Sequence, residues 1–304
     1  MTTIGYFNSL PFIGAMEIVK NIPELRLRVK EAKKNGKTVG FVPTMGFLHD
    51  GHISLVKESK KNSDYQIMSI FVNRMQFNDA SDFNNYPVDL ERDTILAESA
   101  GVDLLFIPPE DEMYNERKVY VDIESLADTL CGAHRPGHFR GALTVVAKLF
   151  NIVLPDVSVF GQKDIQQAVC IQKMVDDLNF PIKIIVAPTI REETSLAMSS
   201  RNKHLSADEQ KRALSLYRSL KRASEMLKNG ERSWDVIRLE MEAIIKNSFP
   251  TAIDYISLVR QNNLQLINFA ASRCIIAVAV FFGTTRLIDN MLIEIDGDSV
   301  KCSL

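Results

Sequence analysis

Two of the chain's five histidines, His49 and His52, stand three residues apart in V-P-T-M-G-F-L-H-D-G-H-I-S-L, the segment from Val42 to Leu55. They follow an apolar run and fall where a helix is expected to begin. Side chains three apart share a helix face, and a helix N-terminus presents free N–H groups and a partial positive charge. Two imidazoles added there make a phosphate grip, with donors able to follow charge onto a leaving group. A metal site and two structurally satisfied histidines are the alternatives. Gly46 and Gly51 have the spacing of a P-loop, but His52 and Ile53 stand where its lysine and hydroxyl belong, so that motif is incomplete.

Three further clusters carry polar chemistry. Cys131-Gly-Ala-His134-Arg135-Pro-Gly-His138-Phe-Arg140 has a spacing that zinc accepts. Its arginines oppose a dication and favour an anion. In Gly161-Gln162-Lys163-Asp164-Ile165-Gln166-Gln167, Lys163 can reach a phosphate, Asp164 can cap the following helix, and the glutamines can point into a cleft. In Ala197-Met198-Ser199-Ser200-Arg201-Asn202, two hydroxyls and a guanidinium in series can hold a triphosphate and release it; a capped linker is the bland alternative. Asn73 and Gln76 are uncharged amides at a strand end, suited to discriminating hydroxyl and carboxylate substrates. There is no G-x-S-x-G and no H-E-x-x-H. An inventory rich in phosphate-binding groups and poor in nucleophiles suits two bound substrates that attack each other while the protein places them and stabilises charge.

Strand–helix alternation supplies the scaffold. Apolar runs at 38–42, 65–72, 102–107, 157–160 and 183–186 read as buried strands. Helical patterns at 52–62, 89–101, 142–154 and 164–178 lie between them. This alternation predicts an α/β, Rossmann-like parallel sheet covered on both faces, with ligands beyond the carboxyl ends of the strands. After about residue 190 the order becomes helix (206–229), helix (233–247) and strands (252–259, 274–282, 291–295), which predicts a smaller α+β domain. The expected division is a loosely held leader over 1–15, a first domain over 16–189 and a second over 190–304.

The bulk composition excludes several classes. The 36 basic residues nearly balance the 38 acidic ones, so net charge points to neither nucleic acid nor an anionic membrane. Cys131, Cys170, Cys274 and Cys302 are scattered, with no C-x-x-C, and read as reduced thiols of a cytoplasmic protein. No run is long and apolar enough to span a bilayer, and the N-terminus lacks the basic region of a signal peptide.

Six segments in order give the chain a specific likeness: P-T-M-G-F-L-H-D-G-H (43–52), S-I-F-V-N-R-M-Q-F (69–77), R-P-G-H-F-R-G (135–141), F-G-Q-K-D-I-Q-Q (160–167), A-M-S-S-R-N (197–202) and G-T-T-R-L-I-D-N (283–290). The chain resembles the pantoate–β-alanine ligases over nearly its whole length after Met16. The resemblance implies a homodimeric, AMP-forming ligase of coenzyme A biosynthesis. It would use ATP and Mg²⁺ to join pantoate and β-alanine through a pantoyl adenylate, in a Rossmann-like domain under a C-terminal lid. It implies that His49 and His52 stabilise adenylation, with Lys163 and Arg201 as further catalytic groups. Met45, Gly161, Lys163, Asp164, Ile190, Met198, Ser199, Ser200 and Arg201 would bind ATP. Gln76, Asn73, Gln167, Arg135 and His138 would serve pantoate or β-alanine, and Asp93 would hold magnesium. The chain departs from the family pattern at Arg74 (usually proline), Val88 (usually arginine) and Thr194-Ser195 (commonly Asp-Gly). Loss of that glycine would stiffen a loop that must move. The competing readings are another H-x-G-H nucleotidyltransferase, a binder without turnover, and a zinc hydrolase using Cys131, His134 and His138.

Overall fold

The structure is a computed structural model that describes residues 16–78, 80–116 and 118–304, without the side chains of 80 and 81. The expected leader lies outside the described residues. Six strands, β1 (Glu17–Val19), β2 (Val39–Thr44), β3 (Tyr65–Ile70), β4 (Leu104–Phe106), β5 (Val157–Gly161) and β6 (Lys183–Ala187), form one parallel sheet in the order β1-β4-β3-β2-β5-β6. Strands buried on both faces read as continuous apolar runs, and β2 shows why. Phe41 enters the core beneath the helices Ile22–Lys34, His138–Val153 and Ile165–Asp177, whereas its neighbour Val42 enters the opposite core beneath Asp50–Lys60 and Leu90–Ala100.

From β2 the chain winds one way through β3 and β4, and from β5 the other way to β6. The crevice beyond β2 and β5 is therefore the topological switch point, where such sheets bind ligands. The loops that leave those two strands carry His49, His52, Lys163 and Asp164.

Four antiparallel strands, β7 (Ala252–Arg260), β8 (Arg273–Phe282), β9 (Thr285–Asp296) and β10 (Ser299–Ser303), make a second sheet in the order β10-β9-β8-β7. Its core joins Ile276, Val278, Val280 and Ile293 to Leu216, Leu220, Trp234, Ile237 and Met241 of the helices Ser215–Lys228 and Trp234–Lys246. The predicted α/β and α+β architecture is thus present.

Several boundaries differ. The helix expected over 206–229 is two, Ala207–Ala213 and Ser215–Lys228, divided at Leu214 without a proline or glycine to mark the break. β9 runs from Thr285, not from Met291, because the polar pair Asp289-Asn290 interrupts its apolar pattern yet stays in the ladder. The helix expected from Ala142 begins at His138. Gly141, outside the helix expected from Ala142, lies inside it, at a position where no side chain fits. A Cβ would stand 2.4 Å from the Met75 carbonyl oxygen and 2.7 Å from the Gln76 nitrogen. Gly141→Ala is therefore expected to destabilise the protein by roughly 1–3 kcal/mol, the usual cost of overpacking, read as a lower urea midpoint.

Candidate functional site

The helix Asp50–Lys60 is capped by its own histidines. His49, in extended conformation at the N-cap, accepts the Gly51 N–H on Nδ1 at 3.1 Å, and His52 accepts the His49 N–H on Nδ1 at 3.3 Å. Those bonds assign the tautomers: both rings carry their proton on Nε2 and have one donor left. The rings lie 4.1 Å apart, centroid to centroid. Burial, and then the charge of Lys163, lowers His49 to about 4. Burial, and then His49 itself, takes His52 well below its ordinary value. Near neutral pH both are uncharged donors.

The loop before them is held from below. Asp93, on the helix Leu90–Ala100, is fully buried and accepts the Phe47 and Leu48 N–H groups at 2.6 and 2.7 Å. Arg92 donates to the Leu48 carbonyl at 2.9 Å. Both oxygens of Asp93, the residue expected to hold magnesium, are engaged by backbone, and it does not line the cleft. Among the described residues no cluster of three His, Cys, Asp or Glu side chains could hold a metal. Cys131, His134 and His138 turn to separate partners, namely Tyr255, Asp254 and the Gln76 carbonyl.

Every other expected site residue lines a single cleft of about 240 Å³ at the switch point. It shares Arg135, His138, Lys163, Asp164, Ser199 and Arg201 with a larger chamber of about 580 Å³ that reaches β9. Gln76 donates to the Met45 sulfur at 3.0 Å. Asn73 donates to Gln76 Oε1 and the Gly141 carbonyl and accepts from Tyr114, which fixes the Gln76 amide. His138 donates from Nδ1 to the Gln76 carbonyl at 2.7 Å and turns Nε2 toward Arg135 at 3.4 Å. Burial, then Arg135, lowers His138 to about 4.

Asp164 stands at the N-cap of Ile165–Asp177 but makes no capping hydrogen bond; its carboxylate lies 3.7 Å from the Lys163 ammonium. Ser199 accepts the Arg201 N–H, and Arg201 pairs with Asp82 at 3.2 Å, a partner absent from the sequence reading. Ser195, where the family commonly has glycine, keeps a left-handed backbone with φ 79°. Serine adopts the glycine-like turn at a cost of about 1 kcal/mol. Sequence reasoning also gave no role to Asp289 and Asn290, although they close the segment G-T-T-R-L-I-D-N and are polar residues in an apolar strand.

A parallel α/β sheet with an anion-binding crevice at its switch point, faced by a small antiparallel domain, defines an α/β enzyme of the nucleotide-binding type. The model of the pantoate-beta-alanine ligase family matches residues 17–292. The pantothenate synthetase of Caldicellulosiruptor saccharolyticus is 50% identical over 281 residues, covering 92% of this chain and all of that protein. That of Thermoanaerobacter sp. (strain X514) is 49% identical over 278 residues, covering 91% of this chain and 98% of that one. The crystal structure of the Thermus thermophilus enzyme superposes with a TM-score of 0.86 at 40% identity, covering 90% of this chain and 98% of that one. A Francisella tularensis ligase, solved with beta-gamma ATP and β-alanine, gives 0.75 at 37% identity, covering 94% and 100%. The chain belongs to the pantoate–β-alanine ligase family and is an enzyme that forms pantothenate.

Two outcomes follow from the histidines. A Cβ at Gly51 would stand 2.8 Å from His49 Cε1 and Nδ1. Gly51→Ala should therefore displace the imidazole and lower the rate of pantothenate formation by about tenfold or more, while the helix propensity gained by alanine roughly offsets the cap bond lost. His49 and His138 resist protonation in the folded chain down to about 4. An unfolded histidine takes a proton near 6.5. The unfolded state therefore binds more protons between those values, and stability must fall as pH drops from about 6.5 to about 4. His138→Gln should flatten that slope in urea titrations.

Proposed function

We propose that the chain condenses pantoate with β-alanine using ATP, through a pantoyl-adenylate intermediate. A pantoate carboxylate oxygen attacks the α-phosphorus, the bond to the bridging oxygen breaks, and pyrophosphate leaves with the electron pair. The β-alanine amine then attacks the acyl carbon, loses a proton, and AMP leaves with the pair from the broken C–O bond. The observation that carries this reading is the pair of uncharged Nε2–H donors at the switch point, set beside Lys163 in the same cleft. Donors held in place where charge gathers on the phosphates lower the barrier without reorganising. Among the described residues no hydroxyl or thiol of the cleft is hydrogen-bonded to a histidine, so no activated protein nucleophile competes with direct attack. The Francisella relative's complex supports ATP and β-alanine as ligands.

Lys163 and Arg201 serve the phosphates. Met45, Gly161, Asp164, Ile190, Met198, Ser199 and Ser200 line the nucleotide side, and Gln76, Gln167, Arg135 and His138 the pantoate side. Gln76 presents an amide to the pantoate hydroxyl and carboxylate, aimed by Asn73 and by His138 through its own carbonyl. Magnesium enters as the Mg–ATP substrate. The cleft offers too few carboxylates for a protein cage, which suits an ion held chiefly by phosphates.

The same reading takes the division of the chain near 189/190, between the two sheets, and places the protein in the cytoplasm, where its four unpaired cysteines remain reduced. It takes the protein as a homodimer. No helix among the described residues is long and apolar enough to cross a membrane.

The test is pyrophosphate release from Mg–ATP with and without pantoate, omitting β-alanine. A pantoate-dependent burst near one equivalent of enzyme is expected. His52→Ala should cut that burst rate at least about a hundredfold and cost about 1 kcal/mol of stability through the lost cap. Burst kinetics unchanged by His52→Ala would remove the histidines from the reaction.

A further inference from the structure

β9 puts two adjacent buried side chains, Asp289 and Asn290, against the two loops that bring cations to the cleft. Asn290 Nδ2 donates to the main-chain carbonyls of Gln162 and Lys163 at 2.9 and 3.0 Å. Its Oδ1 accepts from Gln162 Nε2 at 3.3 Å, and Gln162 also donates to the Ser303 carbonyl on β10. Asp289 takes both Arg191 terminal nitrogens, at 2.7 and 3.0 Å, and its Oδ1 accepts the Asn290 N–H at 2.8 Å. Arg191 bridges to Ala197 in a short antiparallel pairing, and Met198 N–H bonds the Ile190 carbonyl, which fixes the approach to Ser199 and Arg201.

We infer that Asp289 and Asn290 are positioning residues for adenylation: Asn290 sets Lys163, Asp289 sets Arg201 through Arg191, and their adjacency in one strand fixes the spacing of the two cations. This deepens the proposed adenylation and rests on it. The physical need is clear. Lys163, Arg201 and Arg135 converge on one cleft, and like charges there push one another apart until a polyphosphate arrives. Lys163 bears on His49, and Arg201 on Arg135. The ties that hold the loops must therefore add no net charge. A neutral amide and an internally neutral bidentate pair meet that condition.

A crossed set of double-mutant cycles tests it, with single-turnover, pantoate-dependent pyrophosphate release as the readout and urea unfolding as the control. Lys163→Gln and Arg201→Lys serve as the partner changes, because they should leave measurable rates. N290A should slow release about tenfold when Lys163 is present, less than about twofold in K163Q, and undiminished in R201K. D289N should show the reverse pattern, with its effect absorbed in R201K and retained in K163Q. A uniform loss of packing would instead multiply with both partners, and that outcome, or wild-type rates in both strand variants, overturns the inference. Should N290A fail to fold, Asn290→Ser takes its place in the same cycles. If K163Q and R201K themselves run at the wild-type rate, the phosphate roles fail, a result distinct from additivity in the cycles, and the inference falls with them.

Discussion

The geometry of the cleft depends on the buried carboxylate of Asp93. A chain leaving a buried strand must satisfy its backbone donors before it enters a helix. Here a side chain from the helix Leu90–Ala100 receives two of them, at Phe47 and Leu48. That fixes where His49 begins the helix Asp50–Lys60, and so where both imidazoles point. Without the carboxylate, the buried Leu48 N–H and the part-buried Phe47 N–H would be left unmatched, at a cost of roughly 1–3 kcal/mol for the buried one. The loop would then find another path. A residue outside the cleft thus controls the direction of the groups within it.

The surrounding electrostatics follow one pattern. Cations come from loops and are partnered at their margins, Lys163 by Asp164 and Arg201 by Asp82. The groups nearest the switch point are kept neutral by burial, with His49, His52 and His138 all pushed below their ordinary range. His49 and His52, neutral donors beside cations, can receive a polyanion without a proton having to move first. The groups next to them are directed by second residues: Gln76 by Asn73, and the His138 ring by the Gln76 carbonyl that takes its Nδ1–H.

Much of this was legible in the sequence because the local signals agreed with the global fold. Apolar runs marked the central strands, and the six motif segments contain every expected residue that meets in the cleft except Ile190. Failures were of two kinds. The edge strands β1 and β10 bury almost nothing, only Val19 in β1 and no residue in β10, so no apolar run registers. The others lay where function or close packing overrides local preference. Gly141 stood outside the expected helix but permits a helix to touch the Gln76 turn. Asp289 and Asn290 looked like a strand end but stand mid-strand against the site. Asp93 stood out in the sequence, but no pattern in one dimension tells a carboxylate that faces metal from one that faces backbone.

One consequence of the histidine cap concerns reach. A bare helix terminus offers its N–H groups at the backbone itself. Here the N–H groups of His49 and Gly51 are taken by imidazole nitrogens, so they are unavailable to a ligand directly. Each ring accepts on one nitrogen and donates from the other, and a hydrogen bond received on one side polarises the bond given on the other. The helix therefore extends its positive end outward by the width of an aromatic ring. It trades backbone amides for donors that stand proud of the chain and can be tuned by substitution, which a main-chain amide cannot.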